Sequence, residues 1–350
     1  MRAAVLRAGE IVVDDIGELT PGTGQVLVET VACGICGTDL HARRHADTFV
    51  AASRACAMAL FDWDTSRDIV MGHEFTARII ELGAGIDSSV AAAGVKPGQL
   101  VVGHPMVRVD GRACGVGYSN DYPGGYAQRM LLDPAGLIAL PDSADPVAAA
   151  LTEPMAVGMH AVNRSQVAQT RSAIVLGCGP VGLATIAALH HAGTPLVVAS
   201  DFSPARRALA ARLGAHVVVD SNDDEPVAAW RSAGGRGPTV IFDAVGVPGV
   251  IEGAMVAAPR HSQILVVGLC MPKDQIWPAV GINKELTISF VLGWTPDEFS
   301  TALQAIVEGT VDVTPFITGH VDLDGVAGAF DELADPERHV KVVVHPNGWR

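Results

Sequence analysis

Residues 173–182 read Ala173-Ile174-Val175-Leu176-Gly177-Cys178-Gly179-Pro180-Val181-Gly182. The apolar run is a short buried strand, and the GxGxxG behind it opens a helical segment that stops at Gly193. In this setting the first glycine permits a tight turn, the second lets backbone approach a pyrophosphate, and the third lets helix and strand pack closely. Pro180 lacks an N–H where a helix has donors to spare. The remaining free N–H groups and the partial positive charge of the helix start suit a diphosphate. Gly177, Gly179, Pro180, Val181 and Gly182 are therefore expected to bind a dinucleotide.

Among 38 glycines in 350 residues a bare GxGxxG is weak, and its surroundings give it weight. Asp201 stands 19 residues beyond Gly182, at the end of the next apolar run, where a carboxylate can accept from two ribose hydroxyls and repel a 2′-phosphate. NAD is therefore expected rather than NADP. The competing readings are that Asp201 caps the following helix, and that Arg206 and Arg207 supply cations to a phosphate. Arg206 is counted among the cofactor-contacting residues.

Working outward, strands and helices alternate from Asp145-Pro146 onward, the rhythm of a parallel α/β sheet. Strands are expected at 173–176, 196–200, 217–219, 240–244, 264–267 and 286–292, with Ser203-Pro204 starting a helix that closes at Gly214. The backbone at Val267, Gly268 and Leu269 is expected to face the nicotinamide. The tail holds one helix (297–308) and a strand-like 340–344, too little core to stand alone, so it is expected to pack back on the first domain. Before residue 140 the apolar stretches are short (25–31, 79–82, 100–102, 127–132), with turns at Pro97-Gly98, Asp110-Gly111 and Gly124-Gly125. That is the pattern of an irregular antiparallel β domain. One Ala-rich piece, 46–62, favours a helix.

Composition narrows the function. The 24 Lys and Arg against 38 Asp and Glu give a net charge of −14, with no basic block to hold nucleic acid or coat an anionic membrane. At 49% hydrophobic and 18% charged the chain folds, and no apolar run is long enough to span a bilayer. Arg2, Arg7 and Glu10 come too early for a secretory signal, so a cytoplasmic location is expected. Six irregularly spaced cysteines are thiols or metal ligands rather than a disulfide scaffold.

Three short stretches carry metal-ligating side chains: residues 36–41 (CGTDLH), Gly72-His73-Glu74, and Glu153-Pro154. A catalytic zinc takes three protein ligands and keeps a fourth position open. Taken singly, each residue has a plain structural reading: Cys36 as a small buried group, His73 as a satisfied core histidine, Glu153 as a helix-start charge. Together with Lys96-Pro97-Gly98, residues 124–127 (GGYA) and GCGPVG at 177–182, they make the chain similar to the medium-chain, zinc-dependent alcohol dehydrogenase family over nearly its whole length.

The resemblance implies a GroES-like catalytic domain, residues 1–154 with 293–350 returning to it, and a Rossmann domain over 155–292, with the active site in the cleft between them. It implies Cys36 and His73 as zinc ligands, Glu153 at the position of a third, and Glu74 as a direct or exchanging ligand. Asp39 resembles the carboxylate that orients the metal-bound imidazole; Thr38 and His41 resemble the relay that carries the alcohol proton to solvent. Zinc lowers the pKa of its bound water from ~15.7 to ~7, worth about 12 kcal/mol, against ~3–5 kcal/mol for a positioned base, so the metal is expected to dominate.

Two departures stand out. Relatives with a structural zinc carry four close cysteines before Gly124-Gly125, and here only Cys114 is present, so one zinc per chain is expected. Cys36 and His73 are 37 residues apart, wider than usual, with the excess in 46–62, which is expected either to form a lid or reshape the substrate cleft, or to be a surface decoration. Cys33-Gly34-Ile35-Cys36 also spells CxxC, but ahead of the α/β region, which argues against redox use. The function implied is NAD-dependent oxidation of a small alcohol, diol or polyol, or reduction of its carbonyl, by a homodimer or homotetramer. Gly293 stands where the polyol branch carries an arginine, and with Trp294 beside it this tilts the expectation to a less polar secondary alcohol. The alternatives are a zinc-free enone or quinone reductase and a non-catalytic NAD-binding relative of the same fold.

Overall fold

The computed structural model describes residues 1–86 and 95–349; Arg350, the last residue of the expected tail, lies outside them. The chain divides into two units: Met1–Glu153, Ile317–Asp335 and Lys341–Arg350 form the first, Pro154–Phe316 and Pro336–Val340 the second. Among the described residues no helix is long and apolar enough to cross a membrane.

The second unit holds the parallel sheet the sequence predicts. Its strands Ser172–Leu176, Leu196–Asp201, Val217–Asp220, Val240–Asp243, Gln263–Val266 and Thr287–Phe290 lie in the spatial order third, second, first, fourth, fifth, sixth. Every neighbouring pair is parallel. This is the doubly wound Rossmann order. Strands of this kind are covered on both faces, which is why Ile174, Val198, Ile241 and Ile264 are all fully or almost fully buried in one core with Trp230 and Met255. Gly177 has φ +86°, a left-handed turn only glycine enters freely. A Cβ on Gly182 would collide with the Gly177 carbonyl, so the helix Pro180–His191 sits on its strand only because that position is bare.

The first unit is a mostly antiparallel seven-stranded sheet with two side hairpins. Its central strand, Val26–Gly34, pairs antiparallel with Glu74–Leu82, Arg129–Leu132 and Lys341–Val344. The late segments Ile317–Val321 and Lys341–Val344 thus complete the sheet of the first unit.

Two expectations are corrected. Residues 293–316 group with the second unit rather than returning to the first. The helix Pro296–Val307 is tied there by Glu298, whose carboxylate takes His160 Nδ1 at 2.8 Å and Asn163 Nδ2 at 2.9 Å. The helix expected over 46–62 begins nine residues earlier: it runs Gly37–Ala55, non-helical at His45, and a separate turn spans Ala59–Phe61. Its start is fixed by Asp39, which accepts the Cys36 N–H at 3.0 Å. Its end is marked by Ala57, at φ +54°.

Candidate metal centre and nucleotide-binding edge

In the first unit, strand pairing collapses the long sequence interval between Cys36 and His73. Gly34 lies opposite Glu74 and Cys33 opposite Phe75, so the residues that leave one strand meet those that enter the other. The donor atoms of Cys36, His73 and Glu74 all lie within 4.8 Å of one another, and this is the one such group among the described residues. A Cβ on Gly34 would collide with the Glu74 carboxylate, so a bare backbone there makes room for the acid. Thiolate, imidazole and carboxylate at this spacing suit zinc. The buried Nδ1 of His73 has no hydrogen-bond partner and stands 3.5 Å from Asp39 Oδ1, which leaves Nε2 as the nitrogen a metal would take.

Asp39 is fully buried at the foot of this group. Its Oδ1 accepts the Tyr118 hydroxyl at 2.6 Å; its Oδ2 accepts the Tyr126 hydroxyl at 2.6 Å and the Cys36 N–H at 3.0 Å. Burial alone would raise its pKa, but the charge of the nearby His73 and the hydrogen bonds from the two phenols outweigh it and hold the carboxyl below its ordinary range. Burial works against His73 likewise, and Asp39 and Cys36 outweigh it, so the imidazole is raised well above its usual value. Burial, with Glu74 adding to it, pushes the Cys36 thiol up, a cost that a bound cation would remove.

Sequence reasoning missed the cation of this centre. Lys341 Nζ donates to both Glu74 oxygens at 2.7 Å and to the Ile35 carbonyl at 3.0 Å, and neither side chain is exposed at all. Burial would lower the Lys341 pKa; the Glu74 charge reverses this and raises it. Glu74 therefore enters the donor group already half claimed by an ammonium. Glu153, expected as the third ligand, stands outside the group of three; it lies in the first turn of the helix Thr152–Asn163, where its charge acts on Lys341.

Thr38 and His41 occupy the first turns of the helix Gly37–Ala55. Thr38 Oγ1 is 3.5 Å from Cys36 Sγ. Half-buried His41 is lowered in pKa by desolvation first, then by His45 and Arg44, which keeps it neutral near pH 7. Cys33 is buried inside strand Val26–Gly34, and all six cysteines are free thiols. Cys114 lies in the strand Arg112–Gly115 of a side hairpin.

In the second unit the expected cofactor residues gather at the C-terminal ends of the parallel strands, where such sheets bind ligands. Gly179 is the N-cap of the helix Pro180–His191, with Pro180, Val181 and Gly182 in its first turn. Asp201 ends the adjacent strand, accepting the Cys178 N–H at 2.7 Å and the Ser203 N–H at 2.8 Å. The next helix is capped by Ser203, whose Oγ accepts the Arg206 N–H, so capping does not explain Asp201. Arg207 is committed to the Asp201 and Phe202 carbonyls and to Asp220. Arg206 is less engaged: its Nε is buried without a partner, and its guanidinium faces Gly179. Val267 and Gly268 both donate to the Asp243 carbonyl, and Leu269 follows them at the end of strand Gln263–Val266.

Comparison with known proteins finds two family-model matches along the chain. The family model described as an alcohol dehydrogenase GroES-like domain matches residues 22–142, and one described as a zinc-binding dehydrogenase matches 180–308. (R,R)-butanediol dehydrogenase of Bacillus subtilis (strain 168) is 29% identical, with 97% of each chain covered. Sorbitol dehydrogenase of the same organism is 25% identical, over 99% of this chain and 98% of the other. The crystal structure of 2R,3R-butanediol dehydrogenase from Bacillus subtilis superposes with a TM-score of 0.83 at 29% identity, covering 99% of both chains.

Proposed function

The chain belongs to the medium-chain, zinc-dependent alcohol dehydrogenase family, and from that premise we propose that it moves a hydride between a small secondary alcohol or vicinal diol and NAD, or the reverse from the carbonyl. The observation that carries this reading is the convergence of Cys36, His73 and Glu74 around a common point, with Asp39 behind the imidazole. One zinc per chain would be held there by Cys36, His73 and a carboxylate, Glu74 in the first place and Glu153 as the exchanging alternative. Zinc so held supplies Lewis acidity that makes a hydroxyl proton easier to lose and a carbonyl easier to reduce.

The chain's own side chains do the rest. Thr38 accepts the alcohol proton as it gives up its own, and His41, three residues along the same helix with its pKa lowered by desolvation, takes that proton up and releases it towards solvent. The loop 177–182 and the start of the helix behind it hold the diphosphate, Asp201 the adenosine ribose, and the backbone at 267–269 the nicotinamide side. A zinc-free reductase would have no use for this donor set. Gly293 is open and Trp294 packs on Phe299 with centroids 4.6 Å apart, so neither offers a cation or a donor network of the kind a polyol rewards. The two butanediol dehydrogenases among the relatives fit a short secondary alcohol or diol.

The reading is tested by metal analysis of the purified protein and by a panel of alcohols and ketones assayed with NAD and NADP. About one zinc per chain and preference for a short diol or secondary alcohol with NAD are expected; fast turnover of sorbitol would refute the substrate class. Asp201→Asn removes the charge and keeps only one of the two oxygens that accept the Cys178 and Ser203 N–H groups. It is expected to cut the NAD over NADP preference in kcat/KM by roughly tenfold or more, the worth of one charged hydrogen bond; an unchanged ratio sinks the assignment.

We also propose that copies of the chain associate through the sixth strand of the parallel sheet. Thr287–Phe290 is an edge strand, Phe290 in it is 73% exposed, and Ile282 in the preceding helix Pro278–Lys284 is 75% exposed. An open edge flanked by bare apolar side chains invites pairing with another copy. Light scattering should give a dimer or tetramer for the wild type and a monomer for Phe290→Asp; a monomeric wild type ends the proposal.

A further inference from the structure

Part of the segment 46–62 packs inward in this fold. Phe49, on the helix Gly37–Ala55, and Phe61, in the turn Ala59–Phe61, build an aromatic wall with Trp63 around one ring, that of Tyr118. Phe49 stacks on Tyr118 at 5.9 Å and 14°, Phe61 meets it edge-on at 5.1 Å, and Trp63 lies 5.7 Å away. The wall is braced within itself, Phe49 to Phe61 at 5.4 Å and to Trp63 at 5.5 Å. The turn is seated on the strand Arg112–Gly115 so closely that a Cβ on Gly115 would press on the Leu60 carbonyl. Tyr118 is 4% exposed, and its ring lies 5.4 Å from that of His73.

We propose that Tyr118, held by this wall, is a positioning residue that fixes the Asp39 carboxylate and through it the His73 imidazole. This rests on the metal reading above. The two Asp39 oxygens are pinned from different sides: Oδ2 by Tyr126 and the Cys36 N–H, Oδ1 by Tyr118. Oδ1 is also the oxygen 3.5 Å from His73 Nδ1. Loss of the Tyr118 hydroxyl therefore frees the one oxygen that addresses the imidazole, while Oδ2 keeps both its donors. Hydrogen bonds to an ionised carboxylate in a dry site are short and strong, and the carboxylate behind a metal-bound histidine sets the ring's orientation. The inserted segment thus reaches the metal centre through one phenol.

The test uses the full chain loaded with zinc or with cobalt in its place, following metal release to a chromophoric chelator and the visible cobalt bands. Tyr118→Phe keeps the ring and is expected to speed metal release roughly 10–100-fold and to shift the cobalt bands. Phe61→Leu leaves the hydroxyl in place and should move both readouts the same way but less. The double variant should not exceed Tyr118→Phe alone. A merely structural role would leave the cobalt spectrum unmoved. If Tyr118→Phe fails to fold, Phe61→Leu carries the test. Wild-type release and spectrum in Tyr118→Phe, or in Phe61→Leu, overturn the inference with the metal centre intact. A wild-type protein that takes up neither metal overturns the centre first and this inference with it.

Discussion

Lys341→Met, measured in metal-free protein, is expected to destabilise the first unit by about 3–5 kcal/mol, because it leaves the Glu74 carboxylate buried with no counter-charge. On a unit of this size that lowers the melting temperature by roughly 6–20 °C. Both partners are wholly inaccessible to solvent, and the ammonium spans the two Glu74 oxygens, so water cannot replace it. The pair itself need not be a net source of stability, since taking two ions out of water costs about as much as their attraction returns. The double variant Lys341→Met with Glu74→Gln should therefore recover most of the loss. Denaturant melts of the wild type, the single and the double decide it; a single variant within about 1 kcal/mol of wild type would show that the pair does not carry a buried charge.

Cys36→Ala is expected to empty the metal centre and to lower kcat/KM by roughly 10³-fold or more, since Lewis-acid polarisation is worth several kcal/mol of transition-state stabilisation. The informative contrast is Cys33→Ala. Both cysteines belong to the same CxxC, but Cys33 is buried in a strand with its sulfur 3.6 Å from the Gly34 carbonyl, whereas Cys36 faces His73 and Glu74. Cys33→Ala should keep its zinc and most of its activity. Equal losses in the two variants, in metal content and in rate, would mean that the pair acts as a unit, and the assignment of Cys36 as the ligand would fail.

The Rossmann unit was legible because its signals are local. A strand, three glycines and a carboxylate at the end of the next strand are each read from neighbours in sequence, and all six strands lie within about two residues of the expected positions. Cys36, His73 and Glu74 were legible as motifs, and the structure brings them together. Glu153 was read as a ligand from the resemblance alone, and it stands outside the donor group, in the first turn of the helix Thr152–Asn163. Lys341 and Tyr118 were invisible because they lie 267 and 79 residues from their partners. A signal did exist for Lys341: an ion in the middle of the run Val340, Val342, Val343, Val344 cannot be buried in a core strand without a countercharge. The tail returns to the first unit over 317–335 and 341–350 as its small apolar content suggests, but its helix does not: Glu298 and its partners on the helix Thr152–Asn163 tie 296–307 to the second unit.

The strand Lys341–Val344 also sets when the proposed metal centre can close during synthesis. Glu74 is synthesised 267 residues before the ammonium that neutralises it, which at ~5–20 residues per second is an interval of roughly 13–50 s on the ribosome. Throughout it the nascent chain must hold an acid, a thiol and an imidazole without the strand that closes over them. Those seconds are when a chaperone or a metal donor would find the ligands open, and when a stalled or truncated product would be most exposed to degradation.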